Sequence, residues 1–161
     1  MSITRILVPV DFSEDSLNAL AYARDLGKRF GAELVILHVV EPVYVVEPYL
    51  GMSSDVGRIL DDQRHIAKAE LARIGARIKK QEQRVRTIVE FGVPAPIIVG
   101  TAQSIRTNLI VIATHGRTGL AHALIGSVAE KVVRTATCPV LTVRRAAGKR
   151  NEPKRTAGGS R

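Results

Sequence analysis

The chain has 161 residues, 45% of them hydrophobic, a single cysteine and a formal net charge of +9. That length suits one domain around one core. No apolar run approaches the roughly 20 residues of a membrane span, and a lone Cys138 excludes an intrachain disulfide and fits a reducing, cytoplasmic setting. The start, MSITRILVPVDF, shows neither the apolar h-region nor the cleavage site of a signal peptide. The charge is concentrated at the end. From Arg144 onward seven basic residues face only Glu152, a surplus of +6 that leaves +3 for the rest. Residues 145–161 hold no large apolar side chain, so a disordered basic tail is expected beyond a domain over 1–144. Such a tail either solvates the protein or touches nucleic acid or acidic lipid non-specifically. It has no aromatic residue on which bases can stack.

Ile3–Val10 is an apolar run suited to a buried strand, with Pro9 at its end because a central proline would remove a ladder hydrogen bond. Asp11 and Ser13 offer N-caps, Glu14 and Asp15 suit a first helical turn, and Gly31 stops that helix after Phe30. Leu34–Val40 is the second strand, apolar except for His38. The segment from Glu41 to Gly57 is a loop by its prolines, glycines and serines, yet it is rich in apolar residues, so it is expected to pack on a ligand or a second subunit. A long helix then spans about Asp55 to Gln81. Ala67, Leu71, Ile74 and Ile78 recur on its inner face, with Arg64, Lys68, Arg73, Lys79 and Lys80 opposite, a solvated face.

Val85, Thr87 and Val89 alternate along Arg84–Glu90, the pattern of an edge strand with one wetter side. Gly92-Val93-Pro94 breaks the chain, and Pro94 or Pro96 starts a short helix to about Ser104. Leu109–Ala113 is the fourth strand. Ser127–Ala136 is the next helix, with Val128, Val132 and Val133 facing inward. Thr137-Cys138-Pro139 is a turn and Val140–Val143 the last strand. Strands alternating with helices imply an α/β fold: a parallel sheet with helices on both faces and right-handed crossovers. Ligands of such sheets sit beyond the carboxyl ends of the strands where strand order reverses. That rule singles out the loop starts after Val10, Val40 and Ala113.

The last of these carries the strongest signal. A β-branched strand ends in a Gly-containing turn, with Gly116 and Gly119, and Gly126-Ser127 opens a helix. Glycine lets a phosphate approach the backbone, and free N–H groups at the helix start face it along the helix dipole. Ser127 and Glu130 also fit Ser-x-x-Glu, a capping box that would satisfy the same N–H groups internally. Asp11 reads equally as an acceptor for ribose hydroxyls or as an N-cap. Arg117 is either a charge-assisted phosphate donor or a surface residue. His115 has no Asp, Cys or Ser near it in sequence as a proton-transfer partner, so it supplies mainly backbone. His38 is a core or near-core histidine, His65 and His122 lack metal-ligand spacing, and Cys138 is a small buried thiol. No Gly-x4-Gly-Lys-Ser/Thr loop and no Gly-x-Gly-x-x-Gly after the first strand is present.

ILVPVDFSEDS, ELVILHVV, VIATHGRTG and LIGSVAEKVVRTATCPVLTVR together resemble the universal stress protein family, over Ile3 to Val143. The resemblance implies an open five-stranded sheet of order 3-2-1-4-5 and a homodimer, often formed by pairing last strands. Val140–Val143 would be the paired edge, with Leu141 as the position to disrupt it. Some members bind ATP through Gly-x2-Gly-x9-Gly-Ser/Thr. Gly116 and Gly126-Ser127 match its second part, and Ala113 stands where the first glycine belongs. By position, the resemblance implies that Pro9, Val10 and Asp11 line one side of an ATP site and that Val39 contacts the adenine. Ile112, Ala113, His115 and Gly116 would line the turn, and Gly126, Ser127 and Val128 would hold the phosphates, with Mg2+ shared between ATP and Asp11 as an option. The leading expectation is a homodimeric, cytoplasmic nucleotide-binding stress protein in which binding, rather than turnover, orders the glycine turn and the apolar loop for a partner. The alternatives are a dimeric interaction module without nucleotide, supported by Ala113 and the apolar loop, and a slow ATPase.

Overall fold

A computed structural model describes residues 2–41, 53–79, 84–115 and 125–144, with backbone only for 53–56, 59 and 60. Among the described residues nine elements follow in strict alternation: β1 (Arg5–Pro9), α1 (Glu14–Phe30), β2 (Glu33–Val40), α2 (Ser53–Lys79), β3 (Val85–Phe91), α3 (Pro94–Ser104), β4 (Leu109–Ala113), α4 (Ser127–Thr135) and β5 (Val140–Val143). All four strand pairs are parallel, and the sheet order is β3-β2-β1-β4-β5. This is the fold class and strand order expected from the sequence. Most of the apolar loop expected after Glu41 (residues 42–52), the turn 116–124 and the basic tail 145–161 lie outside the described residues.

The central strands read as continuous apolar runs because both faces of the sheet are covered. On one face Ile6, Val8, Leu34, Ile36 and Val111 pack with Ala19, Leu20 and Ala23 of α1 and Leu71 and Ile78 of α2. On the other, Leu7, Val35, Leu37, Ile110 and Ile112 pack with Ala95 and Ile98 of α3 and Ala129 and Val132 of α4. Each such fully buried side chain contributes about 1.5–3 kcal/mol relative to exposure. Helix ends follow local chemistry. Ser13 caps α1 by accepting from Ser16 N, and Gly31 closes it at φ 62°, a left-handed turn that costs glycine no Cβ clash. Pro94 begins α3, where a missing N–H is harmless.

Three details differ from the sequence reading. α2 begins at Ser53, so residues 53–57 of the segment read as a loop are helical. Ser127 is the first residue of α4, not its cap. Gly126 takes that place, with no side-chain cap bond. Its N–H donates to Thr114 O at 2.6 Å, which holds Gly126 extended against the end of β4 and delays the helix by one residue. The Ser127–Glu130 capping box therefore does not form, and Glu130 pairs loosely with Arg134 at 3.7 Å instead. Val133 is 46% exposed; Ala129 and Val132 carry the inner face of α4. The spacing 128, 132, 129 completes one stripe, and 133 lies beside it.

Candidate functional site

The strand ends build a crevice. β1 pairs with β2 through Pro9–Leu37, but with β4 only at Ile6–Leu109 and Leu7–Ile110. Beyond Leu7 the two central strands part, because β1 turns toward α1 on one face while β4 turns toward α4 on the other. A cleft of about 660 Å³ opens there, within the range of sites for small ligands and cofactors. It lies at the reversal of strand order, where sheet topology places ligands.

Three loop starts converge on it. The first supplies Pro9, Val10 and Asp11; the second supplies Val39; the third supplies Ile112, Ala113 and His115, with Gly126, Ser127 and Val128 across from them. Those are ten of the twelve positions that sequence reasoning singled out; Gly116 and Arg117 lie outside the described residues. The sequence reading missed Phe12, Thr114, Pro94 and Ile98, and it missed Gln63, Ile66 and Ala67 of α2. The α2 residues carry no local signal, since only packing against β2 and β3 brings them to the cleft. His38, read as a core residue, is 7% exposed and yet also lines the cleft.

The first loop start is held by side chains. Asp11 Oδ1 accepts from Ser13 N at 3.0 Å and from Ser13 Oγ at 2.5 Å. Ser13, not Asp11, is therefore the N-cap of α1; the Asp11 carboxylate braces that cap from the cleft side. Ser16 Oγ accepts from Asp11 N at 3.3 Å.

The third loop start is held by backbone. Thr114 N donates to Val143 O at 3.0 Å, and Thr114 O accepts from Gly126 N. A Cβ at Gly126 would lie 3.1 Å from Thr114 O, so glycine permits this approach. The N-terminus of α4 consequently opens on the cleft, with no side-chain cap among the described residues. Uncapped N–H groups and the helix dipole together favour an anion. The His115 ring lies with Nδ1 3.0 Å from Thr114 Oγ1, a local contact that engages it with its own neighbour. Ala113 is 7% exposed and packs with Val111, Val143 and the α1 residues. Its methyl thus belongs to the layer opposite α4.

Gln63 Oε1 is buried without a hydrogen-bond partner among the described residues, at the α2 wall of the cleft. Away from the cleft, Cys138 is half-buried rather than fully buried, and burial pushes its thiol pKa up.

Comparison with known proteins agrees with this architecture. The family model described as "Universal stress protein family" matches residues 2–144. A universal stress protein of Methanocaldococcus jannaschii is 35% identical over 145 residues, covering 88% of this chain and 82% of its own length. The solved universal stress protein UspA from Lactobacillus plantarum superposes with a TM-score of 0.80 at 27% identity, covering 89% of this chain and 99% of its own. A universal stress protein solved in complex with cAMP shares the fold at a TM-score of 0.66 and 24% identity, covering 89% of this chain and 98% of its own. With the alternating parallel sheet and the cleft at its strand reversal, these matches place the chain in the universal stress protein family.

Proposed function

We propose that the cleft binds ATP or a related adenine nucleotide, and that binding rather than turnover is the signal. The observation that carries this reading is the N-terminus of α4. Among the described residues its first N–H groups have no side-chain cap, and they face a cleft bounded by the close approach of Gly126 to Thr114. The residues present fit such a ligand. Gly126, Ser127 and Val128 would hold phosphate oxygens through main-chain N–H groups and the Ser127 hydroxyl. Asp11, already fixed through Ser13, would accept from ribose hydroxyls. Val39, with Val10 and Ile98, would give the base an apolar surface. A bound Mg2+ would neutralise phosphate charge and could share Asp11 as an oxygen ligand. Ala113 is compatible, because its methyl packs in the α1 layer rather than beside α4. The fold relative solved with cAMP is consistent with an adenine nucleotide as the ligand class.

The same reading takes the protein as a cytoplasmic homodimer joined through the outer edge of β5. Support comes from the edge itself: among the described residues β5 pairs only with β4, and Leu141 is 39% exposed on it. The testing experiment is the nucleotide content of freshly purified protein, followed by calorimetric titration of ATP into the stripped form. Co-purified nucleotide or saturable heat, with a Tm that rises with ATP, supports the reading. No nucleotide, no heat and an unchanged Tm overturn it in favour of an interaction module.

A further inference from the structure

The turn between β1 and α1 has an uncommon backbone. Phe12 sits at φ 66°, in the left-handed region that bulky side chains seldom adopt. Such a residue persists where its surroundings over-determine it. The Asp11–Ser13 bonds hold one side of the turn. His38 holds the other. Its ring lies against the Phe12 ring, with centroids 4.4 Å apart and planes inclined by 31°. Its Nδ1 is 2.7 Å from Val10 O. A carbonyl only accepts, so Nδ1 carries the proton in this bond.

The place of that bond is informative. The last paired register of β1 with β2 is Pro9 with Leu37, and Val10 N still donates to Leu37 O at 2.8 Å. At Val10 O a side chain of β2 is the donor. β2 thereby sets the direction in which the chain leaves β1, at the point where the cleft opens.

We propose that His38 is a positioning residue for the cleft. Its Nδ1–H bond to Val10 O and its contact with Phe12 form a clasp that keeps the Val10–Ser13 turn, and with it Asp11, in the geometry a ligand needs. The inference deepens the nucleotide reading above and rests on it for the ligand. Without the clasp, Phe12 relaxes out of its left-handed conformation and Asp11 moves with it. A ligand must then restore the turn at the expense of affinity.

The test compares His38→Leu, His38→Asn and His38→Gln in the full chain, with ATP as the probe. Calorimetry gives affinity, and amide exchange of Ser13 and Ser16 in the ligand-free protein reports the turn directly. An asparagine amide nitrogen can stand where Nδ1 stands; a glutamine amide reaches further and cannot. The expected result is a tenfold or greater loss of ATP affinity and faster exchange in His38→Leu, recovery to within threefold in His38→Asn, and no recovery in His38→Gln. Wild-type affinity and exchange in His38→Leu would overturn the clasp, as would an His38→Asn variant no better than His38→Leu. Should His38→Leu not fold, the asparagine and glutamine variants decide, because equal behaviour of those two also overturns it. If the wild type binds no ATP, the nucleotide reading fails separately, and the exchange rates alone still decide whether His38 holds the turn.

Discussion

Gly126→Ala tests the close approach of Gly126 to Thr114 in the cleft. Gly126 lies at φ −70° and ψ 153°, extended backbone open to any residue, so alanine brings no dihedral strain. Its Cβ would lie 3.1 Å from Thr114 O, 0.3 Å inside an ordinary contact of 3.4 Å. Thr114 is poorly placed to retreat, since its N–H is tied to Val143 O at 3.0 Å and its oxygen to Gly126 N at 2.6 Å. The first turn of α4 must therefore move outward by a few tenths of an ångström. Overpacking costs about 1–3 kcal/mol, and one methyl against one carbonyl belongs near the lower end, about 1 kcal/mol. In a chain of this size that lowers Tm by about 2–4 °C. The displaced N–H groups are the ones assigned to phosphate, so ATP affinity should fall about tenfold, equivalent to about 1.4 kcal/mol. Thermal denaturation and calorimetric titration measure both. A lowered Tm with unchanged affinity would refute the phosphate assignment. Unchanged values of both would refute the tight approach itself.

Four further outcomes are expected. Ala113→Gly should destabilise by about 1 kcal/mol through lost packing and added backbone freedom while leaving ATP affinity within twofold; a tenfold gain would show that the methyl crowds the ligand. Leu71→Ala, at a side chain 1% exposed between α2 and the sheet, should cost about 3 kcal/mol and lower Tm by roughly 6–12 °C; a shift under 2 °C would mean that α2 is not packed as described. Burial raises the Cys138 pKa, so its contribution to stability is full below the ordinary thiol pKa and fades as pH rises through the folded value. Iodoacetamide should accordingly alkylate Cys138 more slowly in folded protein at pH 8 than in urea, and equal rates would contradict its burial. Thr142→Pro should yield monomers by light scattering. Ile110 N bonds to Pro139 O and Thr114 N to Val143 O, so residues of that parity point their backbone toward β4 and Thr142 points outward. An unchanged mass with a folded protein would move the dimer interface elsewhere.

That last point shows where sequence reading stops. The exposed edge at Val140–Val143 was legible from a short apolar run at the end of the pattern, yet the sequence suggested Leu141 as the position to disrupt it. Only the register of β5 on β4 reveals that Leu141 spends its backbone groups inside the sheet. A similar division runs through the site. Gly126, Ser127 and the apolar strand before them are visible because anion sites on backbone need glycine and a helix start at short range. Whether Ser127 caps the helix or opens it was undecided in sequence. The bond from Gly126 to Thr114 decided it, and that bond depends on how far β4 extends before it turns.

The amino-acid sequence by itself determined the order of elements, the parallel sheet, and the three loop starts that meet at the cleft. Periodicity, proline, glycine and capping residues act within a few positions of one another, so their message survives without a fold. Tertiary structure alone decided which face the Ala113 methyl takes, that α2 brings Gln63, Ile66 and Ala67 to the cleft, and that His38 reaches Val10 and Phe12. Each of these depends on elements distant in the chain becoming neighbours. The left-handed Phe12 is the plainest case: its neighbours Asp11 and Ser13 brace the turn locally, but the ring packed on Phe12 comes from a histidine on the adjoining strand.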